Sequence, residues 1–373
     1  GLYASMNAAY LRRLGAGTIL GGEFEAGLLA LAERLAAGRG RDGSQPEPLV
    51  SLARQSFLVP DRSGLPELGR YAQLHAAPGD LRTVGYTEAS RGCKHLCRHC
   101  PIVPVYEGRF RIVEREVVLA DIERQVAAGA RHVTFGDPDF WNGPTHAMNL
   151  VRELHARHPD VTYDVTIKVE HLLRHAEHLP TLRDTGCLFV TSAVESVDDR
   201  VLQIFAKGHT RQDFIAVAGL FRAAGLQLNP TFVTFTPWIT AAGYRDLLQL
   251  LEELDLVGQV APIQYAIRLL IPQGSKLLDL AAVCDLVEEF DEERLVYPWR
   301  HPEPRVDELC AAALQQIQAG QDAGECRHRI FARVWRLADA ACEESAADGL
   351  RLGTLEPPPG RMEVPYLTEP WYC

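Results

Sequence analysis

The sequence predicts an α/β fold: a partial (β/α)6 barrel, preceded by an N-terminal helical segment and followed by a C-terminal helical region and an extended tail. Three observations carry this expectation. From about residue 82, short apolar strand candidates alternate with amphipathic helical segments, the pattern of a parallel sheet with crossover helices. The first strand candidate runs straight into a loop with three closely spaced cysteines. The chain has 373 residues, 47% hydrophobic and 23% charged, enough for a full-sized core with appended pieces.

Residues 1–80 read as mainly helical, with an amphipathic stretch over 26–37 and a Gly- and Pro-rich break over 38–48. No Gly-rich nucleotide fingerprint lies there. Residues 81–275 form the barrel core. Its strand candidates are 83–87, 131–135, 162–167, 188–192, 227–234 and 263–270, with helices near 114–128, 145–158, 170–184, 198–225 (as two) and 242–256. Six units are too few to close an eight-unit barrel. In a partial one, polar residues at the C-terminal ends of the strands form the active face. Residues 276–373 read as helices over 276–294, 304–319 and 325–345, then a Pro-rich run to Cys373 that cannot be one long helix.

A net charge of −11 gives no electrostatic bias toward nucleic acid, and no basic stripe interleaves with aromatics. A small-molecule substrate is expected, with no nucleic-acid partner. No apolar run approaches the roughly 20 residues that span a bilayer, so no membrane partner is expected. No signal peptide is visible, and the nine cysteines suit a reducing, cytoplasmic location.

The cysteines Cys93, Cys97 and Cys100 have the spacing C-x3-C-x2-C. Three thiolates so close can hold three irons of a cubane [4Fe–4S] cluster and leave the fourth open. Zinc is the competing metal: with His95 or His99 the loop could supply a Cys3His set. A disulfide framework belongs to short secreted chains, not to a long chain with an odd number of cysteines.

C-x3-C-x2-C after the first strand of such a series resembles the radical SAM superfamily, over roughly residues 82–275. The resemblance implies a radical SAM barrel, a [4Fe–4S] cluster on Cys93, Cys97 and Cys100, and S-adenosylmethionine on the open iron. It also implies an external one-electron reductant of flavodoxin or ferredoxin type. Reductive cleavage would then give methionine and a 5′-deoxyadenosyl radical that acts on the substrate. Gly136-Asp137-Pro138-Asp139 resembles the family's Gly-Gly-Glu-Pro segment, which receives the methionine amino group, though it is also a good turn sequence. Ser192 and Glu195 resemble residues that hold the ribose and methionine; Ser196 or Asp198 can cap the next helix. Lys168 could meet a carboxylate or simply be solvated. Phe232, Val233 and the stretch from Leu269 to Pro272 are placed to wall the adenine, with core packing as the alternative. His99 could stack on the adenine. Tyr106, Arg109 and Arg111 follow the cluster loop, and one of the two arginines should turn inward; Trp141, Asn142 and His146 crowd the second strand's end. The run from Glu195 to Lys207-Gly208-His209 resembles the cobalamin-type branch, but no Asp-x-His-x-x-Gly segment precedes it, so cobalamin is not expected.

The end of the chain, Tyr366-Leu-Thr-Glu-Pro-Trp-Tyr-Cys373, resembles the radical SAM group named for a Cys-Cys-Ala-Glu-Pro or Cys-selenocysteine-Ala-Glu-Pro tail, stopping at its first cysteine. That resemblance marks Cys373 as a catalytic candidate beside Tyr106 and Arg109. It also introduces a second reaction, transfer of the 3-amino-3-carboxypropyl group to a soft acceptor such as arsenic. A non-catalytic iron–sulfur or zinc protein and a nucleic-acid-modifying enzyme remain as other classes.

Overall fold

The computed structural model describes residues 2–39, 47–342 and 363–368, so Cys373 lies outside the described residues. Its main sheet has seven strands: β1 (Gln73–Ala77), β2 (Asp80–Thr87), β3 (His132–Phe135), β4 (Thr162–Thr166), β5 (Cys187–Glu195), β6 (Gln227–Phe232) and β7 (Tyr366–Leu367). The spatial order is β6-β5-β4-β3-β2-β1-β7. From β2 to β6 every pairing is parallel and sequential neighbours are adjacent. Right-handed crossovers in that order put all the connecting helices on one face, and the sheet curls into a half-barrel. β1 and β7 extend it as antiparallel edge strands.

β3 is buried at every position, which suits a strand covered on both faces. The helices Arg115–Ala127, Pro144–Arg157, Arg211–Ala224 and Ala241–Glu253 bury their apolar sides in the core they share with the sheet. Local chemistry sets their starts. Thr210 and Asp213 form a reciprocal capping box, Thr240 accepts from the Gly243 N–H, and Asp198 accepts from the Arg200 N–H. Asp198, not Ser196, therefore caps the helix Asp199–Phe205.

The structure departs from the sequence expectation in residues 1–80, which are not mainly helical (among the described residues only Leu2–Met6, Ala8–Arg13 and Glu25–Ala36 are α-helix, and residues 52–67 carry no helix or strand), and at three later elements. The helix over 170–184 is two short helices, Val169–Arg174 and Leu179–Asp184, joined by a 3-10 turn at Ala176–His178. The helix over 276–294 shrinks to a 3-10 turn at Lys276–Asp279 and one turn at Ala281–Cys284, followed by bridged loops. The strand over 263–270 is a 3-10 turn at Pro262–Tyr265, then a single parallel bridge between Phe235 and Arg268. Proline cannot donate to a ladder. Instead, the Gln264 side-chain oxygen accepts the Phe232 N–H at 2.8 Å and substitutes for the missing strand backbone.

Beyond that bridge the helices Pro304–Asp322 and Arg327–Ala340 pack together and share the barrel's core. Phe331 meets the fully buried Tyr265 ring edge-on at 5.6 Å. At the other end, Leu2–Met6 packs on the one-turn helix Val103–Tyr106 that follows the cysteine loop. Among the described residues no helix is long and apolar enough to cross a membrane.

Candidate active site

The cysteine loop leaves the C-terminal end of β2 through a short hairpin, Ser90–Gly92 paired with Phe110–Ile112. Gly92 makes the turn into it at φ +72°, and a Cβ there would lie 2.5 Å from the Arg109 carbonyl oxygen. Other strand ends hold the loop. Asn142 accepts the Lys94 N–H at 3.2 Å and stands 3.9 Å from the Cys93 sulfur. The Arg98 N–H donates to the Phe205 carbonyl at 2.8 Å, and the Ser275 hydroxyl donates to the Arg98 carbonyl at 3.2 Å. A turn from the Cys100 N–H to the Cys97 carbonyl, 3.2 Å, brings those two residues round. All three cysteines are free thiols. Burial pushes Cys93 up to about 11, with Asp139 and then Cys97 raising it further, and Cys100 up to about 12, with Cys97 and Cys93 raising it further. Such thiols stay protonated near neutral pH unless a metal takes the proton's place.

The Gly136–Asp139 turn follows β3 and divides its work. Gly136 passes under the Tyr86 ring, where a Cβ would lie 1.8 Å from the phenol oxygen. Asp137 turns back to β2's exit: its carboxylate accepts from the Ala89 N–H at 2.8 Å and the Ser90 hydroxyl at 2.6 Å. Burial pushes its carboxyl up to about 7 against those two hydrogen bonds. Asp137 thus positions the segment that opens the cysteine loop. Asp139 is buried; its Oδ1 accepts the Trp141 N–H, and its Oδ2 lies 2.7 Å from His171 Nδ1 and 3.3 Å from His95 Nε2. Burial disfavours its charge, but the two imidazoles outweigh burial and hold the carboxyl at about 2.

Lys168 lies two residues past β4, directly before the helix Val169–Arg174, and is buried, not solvated: Nζ is 3.2 Å from His95 Nδ1 and 3.4 Å from Glu170. β5 ends at Glu195, a buried residue at φ +68°, unusual for a residue with a side chain. The turn aims its carboxylate at His99 Nε2, 3.1 Å away, and Lys207 Nζ, 3.2 Å away. Burial would raise this carboxyl; Lys207, then His99, bring it down to about 2. Lys207 is buried, and its ammonium is favoured by Glu195 and by Cys97 and Cys100. In the sequence Lys207 figures only as part of the run from Glu195 to His209 and is not marked as a site residue. His99 packs its ring on Phe205 at 4.4 Å. Ser192 has a fully buried hydroxyl without a hydrogen-bond partner.

The remaining candidates separate. Leu269 and Val233 share a small apolar cluster with Phe205, the ring on which His99 packs. Phe232 instead meets Phe214 edge-on at 6.0 Å, in the core beneath the Arg211–Ala224 helix. Its backbone is site-adjacent, but packing accounts for its ring. Tyr106 is half-buried against Gly92. Arg109 is exposed, while Arg111 is the arginine that turns in, donating to the Leu52 carbonyl. Trp141 is fully buried, and His146 is partly buried on the Pro144–Arg157 helix.

The profile of the radical SAM superfamily matches residues 87–253. Among curated proteins, a tRNA-2-methylthio-N(6)-dimethylallyladenosine synthase of Desulfosudis oleivorans is 23% identical over 222 residues, 57% of this chain and 47% of that protein. The ribosomal protein uS12 methylthiotransferase RimO of Methylococcus capsulatus is 26% identical over 211 residues, 50% and 47% respectively. The chain spans about half the length of these curated relatives. Among solved structures, the radical S-adenosylmethionine methyltransferase TsrM of Kitasatospora setae, with tryptophan substrate and aza-SAM bound, aligns with a TM-score of 0.62. The identity is 20%, over 76% of this chain and 57% of that one. The cobalamin-dependent radical enzyme OxsB aligns with a TM-score of 0.54 and 16% identity, over 63% and 41%. At these identities the likeness is one of fold.

Proposed function

The chain is a member of the radical SAM superfamily, and from that premise we propose that Cys93, Cys97 and Cys100 bind its [4Fe–4S] cluster in an enzyme that acts on a small-molecule substrate. The observation that carries this is the thiol loop itself: three free cysteines at the end of the first parallel strand, held by Asn142, Phe205 and Ser275 from three other parts of the fold.

The site fits both cofactors. The unpartnered, fully buried Ser192 hydroxyl is an open hydrogen-bonding group of the kind a ribose satisfies. Three thiols with no oxygen ligand among them favour iron–sulfur chemistry over hard cations. Bound there, the cluster and S-adenosylmethionine would supply one-electron reductive chemistry at a carbon–sulfur bond, with the electron from a small external reductant protein. The chain's own residues prepare that event. Asn142 and Asp137 fix the loop. Lys207 places a buried cation beside Cys97 and Cys100, where it offsets thiolate charge. Glu195 keeps Lys207 and His99 in place. The apolar group of Phe205, Val233 and Leu269 keeps water from that side.

Support for a small molecule comes from the net charge of −11 and from TsrM, the neighbour of like fold whose structure holds tryptophan. The curated relatives named for tRNA and a ribosomal protein supply the competing substrate class. The test is to reconstitute the chain anaerobically, reduce it with S-adenosylmethionine present, and separate the nucleoside products. 5′-Deoxyadenosine is the expected product, absent in Cys97→Ala. 5′-Methylthioadenosine would instead assign aminocarboxypropyl transfer, and neither product would sink the enzyme reading. A stoichiometric gel shift with bulk tRNA would overturn the small-molecule assignment.

A further inference from the structure

We propose that His95, Asp139 and His171 form a mononuclear site for a divalent first-row cation, separate from the thiol ligands and beside them on the active face. The three residues come from three strand ends: the cysteine loop after β2, the turn after β3 and the helix after β4. One ligand atom of each lies within 4.8 Å of the other two.

The contacts have a property that ordinary hydrogen bonding does not explain. His171 Nδ1 is 2.7 Å and His95 Nε2 is 3.3 Å from the same oxygen, Asp139 Oδ2. Yet none of these three atoms makes an aligned hydrogen bond, and all are buried. Asp139 and His171 are 1% and 0% exposed, so water cannot compensate them freely. Three unsatisfied polar atoms aimed at one point are unusual in a folded interior, where such groups are nearly always paired. A cation among them satisfies all three at once. Asp139 Oδ1 is already committed to the Trp141 N–H, which turns Oδ2 toward the pair.

Two imidazoles and one carboxylate make a borderline donor set that suits Zn2+, Fe2+ or Co2+ better than Mg2+ or Ca2+. Three protein donors leave a coordination position open, as sites that meet a substrate do. His95 also has an outer partner. Glu170 Oε2 lies 3.8 Å from its Nδ1, and Lys168 bridges the two at 3.2 and 3.4 Å. Here His95 Nδ1 accepts from the Lys168 ammonium, and a metal on Nε2 would require Nδ1 to carry the proton and Lys168 to keep only Glu170. Because His95 lies between Cys93 and Cys97, a metal here would fix the cysteine loop from inside.

The test uses the full chain with its iron–sulfur cluster loaded, equilibrated with Zn2+ alone and then desalted. Zinc, iron and sulfide are counted on the same sample, so failure of the cluster and failure of this site are read separately. The expected result is one retained zinc per chain beyond the iron. Its X-ray absorption edge should show only nitrogen and oxygen neighbours, at about 2.0–2.1 Å. His171→Ala and Asp139→Asn should lose at least nine-tenths of that zinc while keeping their iron. His178→Ala should retain it, which excludes the looser His175, Glu177 and His178 group. A sulfur shell near 2.3 Å, loss of zinc in His178→Ala instead, equal zinc in His171→Ala, or no retained zinc would each overturn the proposal. If His171→Ala fails to fold, His95→Gln on the loop and the wild-type absorption edge decide alone.

Discussion

Lys207 shows how much one buried side chain can govern. It is an ammonium within the fold, 3.2 Å from a carboxylate that is itself buried. Removing one member of such a pair leaves an uncompensated charge and costs on the order of 3 kcal/mol or more. Lys207→Met should therefore lower the denaturation midpoint, and adding Glu195→Gln should restore part of the loss. The same substitution removes a positive charge beside Cys97 and Cys100, so the cluster's reduction potential should move negative. Unchanged stability and potential would mean that Lys207 is a spectator. His209 tests pH at a neighbouring position. It is buried with Nε2 3.2 Å from the Val194 carbonyl, and burial, then Lys207 and Lys168, push its imidazole down to about 4. The unfolded chain takes this proton first, near 6.5, so the folded state loses stability as pH falls from about 6.5 toward 4. The full loss is about 3 kcal/mol. Glu195 and Asp139, held at about 2, lose theirs only at lower pH. In His209→Gln the stability profile should flatten between pH 6.5 and 4 and stay steep below; an unaltered slope in the upper window would refute the assignment.

At the scale of elements, what was legible in the sequence followed from periodicity, and what was not depended on tertiary substitution. The five parallel strands β2 to β6 were readable because each is a short apolar run between turn residues. The sixth was misread because Ile263–Leu270 is equally apolar, and nothing local announces that Gln264 will replace a strand's backbone. Phe232 and Val233 are adjacent and similar in kind, and only the pleat sends one to the helix layer and the other to the apolar cluster of Phe205 and Leu269. The cysteine triad was legible from its spacing, and the structure places it after the first parallel strand as that spacing and position predict. Asp137 was placed in the right turn, but its partners, Ala89 and Ser90, are 48 and 47 residues away, beyond any local pattern. The glycine of that turn gives a direct test. A Cβ on Gly136 meets the far end of the Tyr86 ring, which is 41% exposed and has room to leave. Gly136→Ala should destabilise by roughly 1–3 kcal/mol, the usual cost of overpacking. Tyr86→Ala in the same chain should recover most of it, since residues in contact are not additive. Additive losses in the double mutant would place the strain in the backbone instead.

At the scale of the molecule, Arg91 joins the N-terminal part to the cysteine loop, alongside the packing of Leu2–Met6 on Val103–Tyr106 and the Arg111 bond to the Leu52 carbonyl. Arg91 lies two positions before Cys93, on the hairpin that launches the loop. Its guanidinium pairs with Glu25, with Glu88 at 3.1 Å and with Glu23 at 3.7 Å, and lies 4.9 Å over the Phe57 ring. Glu23 is buried and Glu25 opens the helix Glu25–Ala36, so one side chain anchors that whole region to the strand that positions the thiols. Gln55 ties the same two carboxylates together at 3.0 and 2.7 Å. Single exposed pairs contribute little, but a half-buried arginine serving three carboxylates and a ring is a network. Arg91→Ala removes the hub and leaves Glu23 buried with its charge poorly matched. Amide hydrogen exchange should then accelerate across Glu25–Ala36 and at Val50–Ser51, while β3 to β6 keep their protection, because they share no partner with Arg91. The loop should also loosen, and the reconstituted cluster should bleach faster in air than in the wild type. Faster exchange throughout the barrel would mean that Arg91 supports the whole fold. Unchanged exchange in the N-terminal helix would mean that Gln55 and the apolar contacts hold it without the arginine.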